Sequence, residues 1–133
     1  MEVTVATHKD VEDIVDIGGQ FWGEHYYSEY GDYNEHGTRM ALHQMVDGEV
    51  STVLIAREGD ELIGYIAFIV APVLWGTVRS AAESLWWVAP EHRSTGVGKE
   101  LLNAGLEWAE IMDCDLLEAH DHEGKRMHLC VGK

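Results

Sequence analysis

Basic residues are scarce in this 133-residue chain: 9 Lys and Arg stand against 24 Asp and Glu, a formal net charge of −15. Such a field repels phosphate backbones and anionic membrane surfaces, which argues against a broad nucleic-acid- or lipid-binding face. Proline is also rare, at 2 residues, while 46% of the chain is apolar; this is the composition of an ordered, core-forming protein and not of a disordered or collagen-like one. The one notable apolar stretch, Leu62 to Val73, contains Gly64 and Pro72 and falls short of the roughly 18 to 20 residues that cross a bilayer. The start, MEVTVATHKD, lacks the basic opening and apolar run of a secretion signal, so a cytoplasmic location is expected. Cysteine is limited to Cys114 and Cys130, and a chain with its own core and no export signal keeps them as thiols. The length suits a single domain, 1–133.

Apolar residues fall into strand-like and helix-like runs of one α+β unit with a mixed sheet, with no repeat or linker between them. Val3 and Val5 mark a short first strand. Thr7 with Asp10 forms a capping box that starts a helix bearing Val11, Ile14, Val15, Phe21 and Trp22 on one side, weakened near its end by Gly18-Gly19. The aromatic and acidic stretch EHYYSEYGDYNEHG reads as a loop, and a second helix runs from Asn34 or Thr38 to Asp47-Gly48. Thr52–Arg57 and Leu62–Val70 form an antiparallel hairpin about Glu58-Gly59-Asp60-Glu61. A strand from Ala82 to Val88 precedes a helix with Val97, Leu101, Gly105, Trp108 and Ala109 at helical spacing. Asp115 to His120 is read as the last strand and Gly124 to Val131 as a short helix, giving the order β-α-α-β-β-β-α-β-α.

Residues 85–108 carry the chemistry. A strand ends, Arg93-Ser94-Thr95-Gly96-Val97-Gly98 forms a loop, and a helix begins at once. Such a loop leaves consecutive N–H groups pointing outward before the helix's positive end, while glycines admit an anion closely. The two glycines have a plainer reading as a turn and cap. Neither the dinucleotide spacing G-x-G-x-x-G nor the nucleotide-hydrolase spacing G-x-x-x-x-G-K-[ST] occurs here.

The pattern of Val88, Pro90, Glu91, Arg93, Gly96 and Gly98, followed by Leu101-Leu102, resembles the acetyl-CoA-binding motif of the GNAT family of N-acetyltransferases, and the element order resembles that family over nearly the whole chain. The resemblance implies a GNAT-like fold lacking the usual last two strands. It implies acetyl-CoA as co-substrate, with the backbone of Trp86, Trp87 and Val88 on the pantetheine arm. The N–H groups of Arg93, Ser94, Thr95, Gly96, Val97 and Gly98 would hold the pyrophosphate, with local positive charge from Arg93 and Lys99. At close range charge-assisted bonds outweigh the repulsion of distant acidic groups, which is screened beyond a Debye length of roughly 8 Å.

The implied reaction is direct attack of a primary amine on the acetyl thioester, with a backbone N–H near Trp86 or Trp87 stabilising the oxyanion. Glu83 is the first candidate base, with Glu24 and Glu118 behind it; each reads equally as a solvated polar residue. Family members often place a Tyr on a fourth helix to protonate the leaving thiolate. Here His128 takes that position and Lys133 the position of a following Phe, so His128 is the candidate acid.

The segment Phe21 to Tyr33 falls where the family binds its acceptor, which makes Phe21, Trp22, Glu24, Tyr26 and Tyr27 the candidate substrate-binding residues. Their rings and carboxylates suit a cationic amine such as a polyamine, an aminoglycoside or a basic peptide. Trp75, Trp86 and Trp87 are candidates to shape an acyl pocket. His120, His122 and His128 with Asp121 and Glu123 have ligand chemistry, but without a second ligand set the segment reads as a polar loop and no metal is expected. A chain that stops after its fifth strand leaves an open sheet edge, for which a homodimer is the expected remedy. The competing reading is an inactive, acidic binding protein of GNAT shape that engages a basic partner or imitates nucleic acid.

Overall fold

A computed structural model describes residues 1–121 and 123–132, and all of their side chains but that of Tyr26. Six strands, β1 (Glu2–Val5), β2 (Ser51–Glu58), β3 (Glu61–Pro72), β4 (Arg79–Val88), β5 (Leu116–His120) and β6 (Arg126–Cys130), form one sheet in chain order. Every neighbouring pair is antiparallel except β4 and β5, which run parallel because α3 (Val97–Ile111) crosses between them. The remaining helices, α1 (Val11–Glu24) and α2 (Glu35–Asp47), follow β1.

Alternation along the central strands divides the core in two. Leu54, Ala56, Ile66 and Phe68 meet Leu101 and Ala109 of α3 on one face of the sheet. Val53, Ile55, Tyr65 and Ala67 meet Ile14, Val15 and Leu42 of the other two helices on the opposite face. Gly105 lets α3 sit directly on Phe68, since a Cβ there would lie 2.4 Å from that ring. The Asp10 carboxylate accepts from the Thr7 N–H at 2.8 Å, the interaction expected of the capping box, and closes a 3-10 turn (His8–Asp10) that leads into α1. Asn34, not Thr38, caps α2, its Oδ1 accepting from the Gly37 N–H at 2.8 Å.

The α+β class and the element order hold through β5. The last element does not: residues 126–130 are a strand antiparallel to β5, not a helix. The Asp121 Oδ1 accepts from the N–H groups of Glu123 and Lys125, and Gly124 takes a φ of +81°, which turns the chain back sharply. Met127 and Leu129 then alternate onto the α3 core, a period of two that a short segment hides in the sequence. A sixth strand is therefore present, and it covers the edge of β5 that was expected to be open. The reason given for a second copy of the chain at that edge falls away.

Two irregularities in β4 place the candidate site. Ala67 lies opposite Leu85 and Phe68 opposite Glu83, so Ser84 is an extra residue, a bulge that turns the strand. The pairing of β4 with β5 is confined to Ser80–Ala82 against Leu116–Glu118. Beyond that point the two parallel strands part.

Candidate active site

The cleft between the parted strands has a volume of about 860 Å³. Its walls include Trp86, Trp87 and Val88 from β4, Gly98 and Lys99 from α3, and His120 from β5. The backbone faces of β4 follow from one ladder bond: the Ala89 N–H donates to the Ile63 carbonyl at 2.8 Å. Antiparallel pairs alternate between bonded and open, so Trp87, opposite Tyr65, directs its backbone groups to β3, whereas Trp86 and Val88 direct theirs into the cleft. Arg93 fills one of those outward positions, its Nε donating to the Val88 carbonyl at 2.8 Å. Among the described residues nothing pairs with the Trp86 N–H and carbonyl or the Val88 N–H, which remain as the free edge.

The loop behind this edge is shaped by two positive dihedrals, Ser94 at +69° and Gly96 at +95°. Gly96 tolerates its value because it has no Cβ; Ser94 bears the strain. Among the described residues no carbonyl or side-chain oxygen accepts from the N–H groups of residues 94–99. They form a row of unpaired donors at the positive end of α3, the geometry that holds a phosphate. Gly98 faces the tip of the Trp86 indole, 3.8 Å from a Cβ built on it, so the surface there is backbone. The charge is distributed differently from the expectation. Arg93 is held by Glu24 of α1 at 2.7 Å, while Lys99 is exposed and has no ion pair among the described residues.

A second, smaller cavity of about 290 Å³ lies on the other side of the β4 bulge. Ser84 and Leu85 close it on the sheet side, and Phe21, Trp22, Tyr27, Tyr33 and Tyr65 supply aromatic walls. The packing of these rings is specified. The Trp22 Nε1 donates to the Gly31 carbonyl at 3.0 Å, and the Tyr33 hydroxyl donates to the Val15 carbonyl at 2.9 Å. Gly18 makes that possible, since a Cβ there would lie 2.2 Å from the Tyr33 oxygen. Burial pushes the Tyr65 phenol upward and keeps it neutral.

His25 and Phe21 belong to both cavities. The His25 Nδ1 accepts from the Tyr27 N–H at 3.2 Å, which orients the ring. Glu83 sits where β4 and β5 separate, its side chain only 11% exposed, and its Oε1 accepts from the His120 N–H at 3.2 Å. Burial pushes this carboxyl above the ordinary range, while the His120 N–H and the His120 and His25 imidazoles pull it partly back.

The sequence profile of the acetyltransferase (GNAT) family matches residues 12–129. The chain belongs to this family. No curated protein matches it by sequence. Among solved structures, this GNAT domain is similar to the tetramutant of the BH1408 protein from Bacillus halodurans, with a TM-score of 0.74 and 21% identity over 91% of this chain and 84% of that one. It is also similar to the aminoglycoside antibiotic 6'-N-acetyltransferase AAC(6')-IG from Acinetobacter haemolyticus, with a TM-score of 0.74 and 18% identity over 88% and 77% of the two chains. A third similar structure is AAC(6')-Iy in complex with a bisubstrate analog, CoA-S-monomethyl-acetylneamine, with a TM-score of 0.74 and 17% identity over 90% and 78%.

In this GNAT domain the structure brings together most of the residues singled out in the sequence. Trp86, Trp87, Val88, Arg93, Ser94, Gly98 and Lys99 line the large cleft, and Thr95, Gly96 and Val97 complete its loop. Phe21, Trp22 and Tyr27 line the aromatic cavity; the side chain of Tyr26 lies outside those described. Glu24 does not line that cavity but the large cleft, where it engages Arg93. His128 is on a strand, not a helix. It pairs with Glu118 at 3.1 Å and lines neither cavity, because the alternation that turns Met127 toward the cleft turns its neighbour to the other face. Glu118 also accepts from the Ser80 hydroxyl at 3.1 Å, which accounts for it structurally. Trp75 stands fully exposed in the β3–β4 connection and lines neither cavity, so it shapes no acyl pocket with Trp86 and Trp87. His122 and Lys133 lie outside the described residues. Both cysteines are free. No described helix is long and apolar enough to cross a membrane.

Sequence reasoning did not name Tyr65 or Ser84 as site residues; it took in His25, Asp32 and Tyr33 only as part of the Phe21–Tyr33 segment, and His120 only among possible metal ligands. Ser84 left a trace, since the adjacent polar pair Glu83-Ser84 interrupts the alternation of a buried strand, as a bulge does.

Proposed function

We propose that this chain transfers the acetyl group of acetyl-CoA to a primary amine by direct attack. One observation carries the reading: the free backbone edge at Trp86 and Val88 runs into a row of unpaired N–H donors at the start of α3. That arrangement fits an amide-bearing arm that ends in a diphosphate, since the edge offers ladder partners and the row offers anion donors. Bound acetyl-CoA supplies an activated acyl group with a good leaving thiolate.

The protein's own groups supply position and proton control. The Trp86 N–H faces the parted strands and is the donor placed to stabilise negative charge on the acetyl oxygen. The acceptor enters from the aromatic cavity, so the two substrates meet at the wall shared by Phe21 and His25. An ammonium loses one proton before attack. The C–N bond then forms, the C–S bond breaks, and the second nitrogen proton goes to the thiolate. Glu83 lines neither cavity, so it takes the first proton through water; its raised pKa makes it a stronger base than an ordinary carboxylate.

Titration calorimetry with acetyl-CoA and thiol release with an amine panel test this reading together. Arg93→Glu and Gly96→Trp are expected to abolish both signals by blocking the anion row. Undiminished acetyl-CoA affinity in both variants would show that the cofactor binds elsewhere.

A further inference from the structure

The smaller cavity is poorly suited to the polycationic acceptors expected from the rings and carboxylates of the Phe21 to Tyr33 segment. Its walls are rings, Phe21, Trp22, Tyr27, Tyr33 and Tyr65, and among the described residues Asp32 is the one carboxylate that lines it. At about 290 Å³ it lies near the lower limit of small-molecule sites. Outside the lining, Glu24 engages Arg93, Glu12 and Glu35 engage Arg39, and Asp10 and Asp13 engage Arg57, while Glu35 and Asp16 lie close enough to add to burial in raising the pKa of the Tyr33 phenol. A substrate with three or four ammonium groups would meet one counter-charge in this cavity and would have to give up water from the others without compensation. A monoamine with a flat body needs one counter-charge, and its body is matched by aromatic faces that also favour a cation near them.

We infer that the acceptor is a small arylalkyl monoamine, whose ring lies among Phe21, Trp22, Tyr33 and Tyr65 and whose ammonium is received by Asp32 before it is deprotonated. The inference rests on the acetyl-CoA reading above and narrows its second substrate. It replaces the polyamine, aminoglycoside and basic-peptide expectation. The rigidity of the cavity supports the selection. Trp22 and Tyr33 are each tied by a hydrogen bond to a backbone carbonyl, and Tyr65 stacks on Trp87 with ring centroids 5.7 Å apart, which pre-orders the walls around a small flat ligand.

The test uses the full chain, saturating acetyl-CoA and thiol release with phenethylamine, spermidine, kanamycin and a lysine-rich peptide. Phenethylamine is expected to give at least about tenfold higher kcat/KM than the others. Asp32→Asn is expected to raise the phenethylamine KM about tenfold, with the KM for acetyl-CoA unchanged. A separate titration of phenethylamine against indole fluorescence, without acetyl-CoA, reads occupancy next to Trp22. Preference for spermidine, kanamycin or the peptide overturns the inference, as does an unchanged phenethylamine KM in Asp32→Asn. If acetyl-CoA binds by calorimetry and phenethylamine neither reacts nor binds, the inference fails while the transfer reading stands. If phenethylamine perturbs the indole signal and acetyl-CoA does not bind, the transfer reading fails instead.

Discussion

The two cavities on either side of the β4 bulge are made of different material. The large cleft is lined where it matters by backbone: the outward groups of Trp86 and Val88 and the unpaired N–H row of residues 94–99. The small cavity is lined by side chains from α1, the turn Tyr26–Glu29, the loop before α2, α2 itself, β3 and β4. Backbone presents the same donors whatever residue bears them, provided the dihedrals are right, so the cleft tolerates sequence change where a side chain neither blocks nor charges the donor row. Side-chain walls change with every substitution. One domain thus combines a surface suited to an invariant ligand with one that is free to specialise.

That contrast can be broken at three places. The largest effect is expected at the junction, where Glu83→Gln should lower kcat by about 10²- to 10⁴-fold and leave acetyl-CoA affinity intact; a loss of affinity instead would make Glu83 part of the cofactor wall. Next, Gly18→Val drives the Tyr33 ring from its place and should raise the amine KM about tenfold without moving the calorimetric affinity for acetyl-CoA. Equal damage to both would mean that the cavities are not separable. Glu24→Gln releases Arg93 beside the anion row and should tighten acetyl-CoA two- to fivefold, roughly 1 kcal/mol or less, with the gain shrinking as salt rises. Weaker binding would show that the ion pair holds the loop in its competent shape.

The smallest effects are in stability against pH, with opposite signs at Glu83 and Asp10. The folded pKa of Glu83 is raised by burial, so its contribution is complete below its ordinary value of 4.5 and is lost as pH rises through the folded value. Glu83→Gln should therefore gain on the parent chain in thermal melts as pH increases. For Asp10 burial alone would raise the pKa, but the Thr7 N–H and Arg57 more than offset it, and the net shift is downward. Its contribution is present above the ordinary value of 3.8 and is lost as pH falls through the folded value. Asp10→Asn should cost about 1 kcal/mol near neutrality and little at low pH.

Much of the fold was legible because it depends on local patterns. The Thr7–Asp10 box, the Gly59 turn between β2 and β3, and the helical spacing from Val97 to Ala109 are each encoded within a few residues. β6 was misread for the same reason in reverse: a five-residue strand offers too few alternations to be told from a helical turn. Of the candidate site, the anion loop was legible as a motif. The pairing of Glu24 with Arg93, 69 positions apart, was not, nor was the turning away of His128.

By itself, then, the sequence determined the class of fold, the anion loop and the scarcity of positive charge, since composition and short-range spacing are properties of the chain alone. Tertiary structure decided which carboxylates are already engaged, which of two adjacent tryptophans offers its backbone to the cleft, and that the aromatic residues enclose a small cavity which, among the described residues, Asp32 alone of the carboxylates lines. Those outcomes depend on register, on one bulge and on the crossing of α1 over the sheet, where residues distant in the chain compete for the same space and the same hydrogen-bond partners.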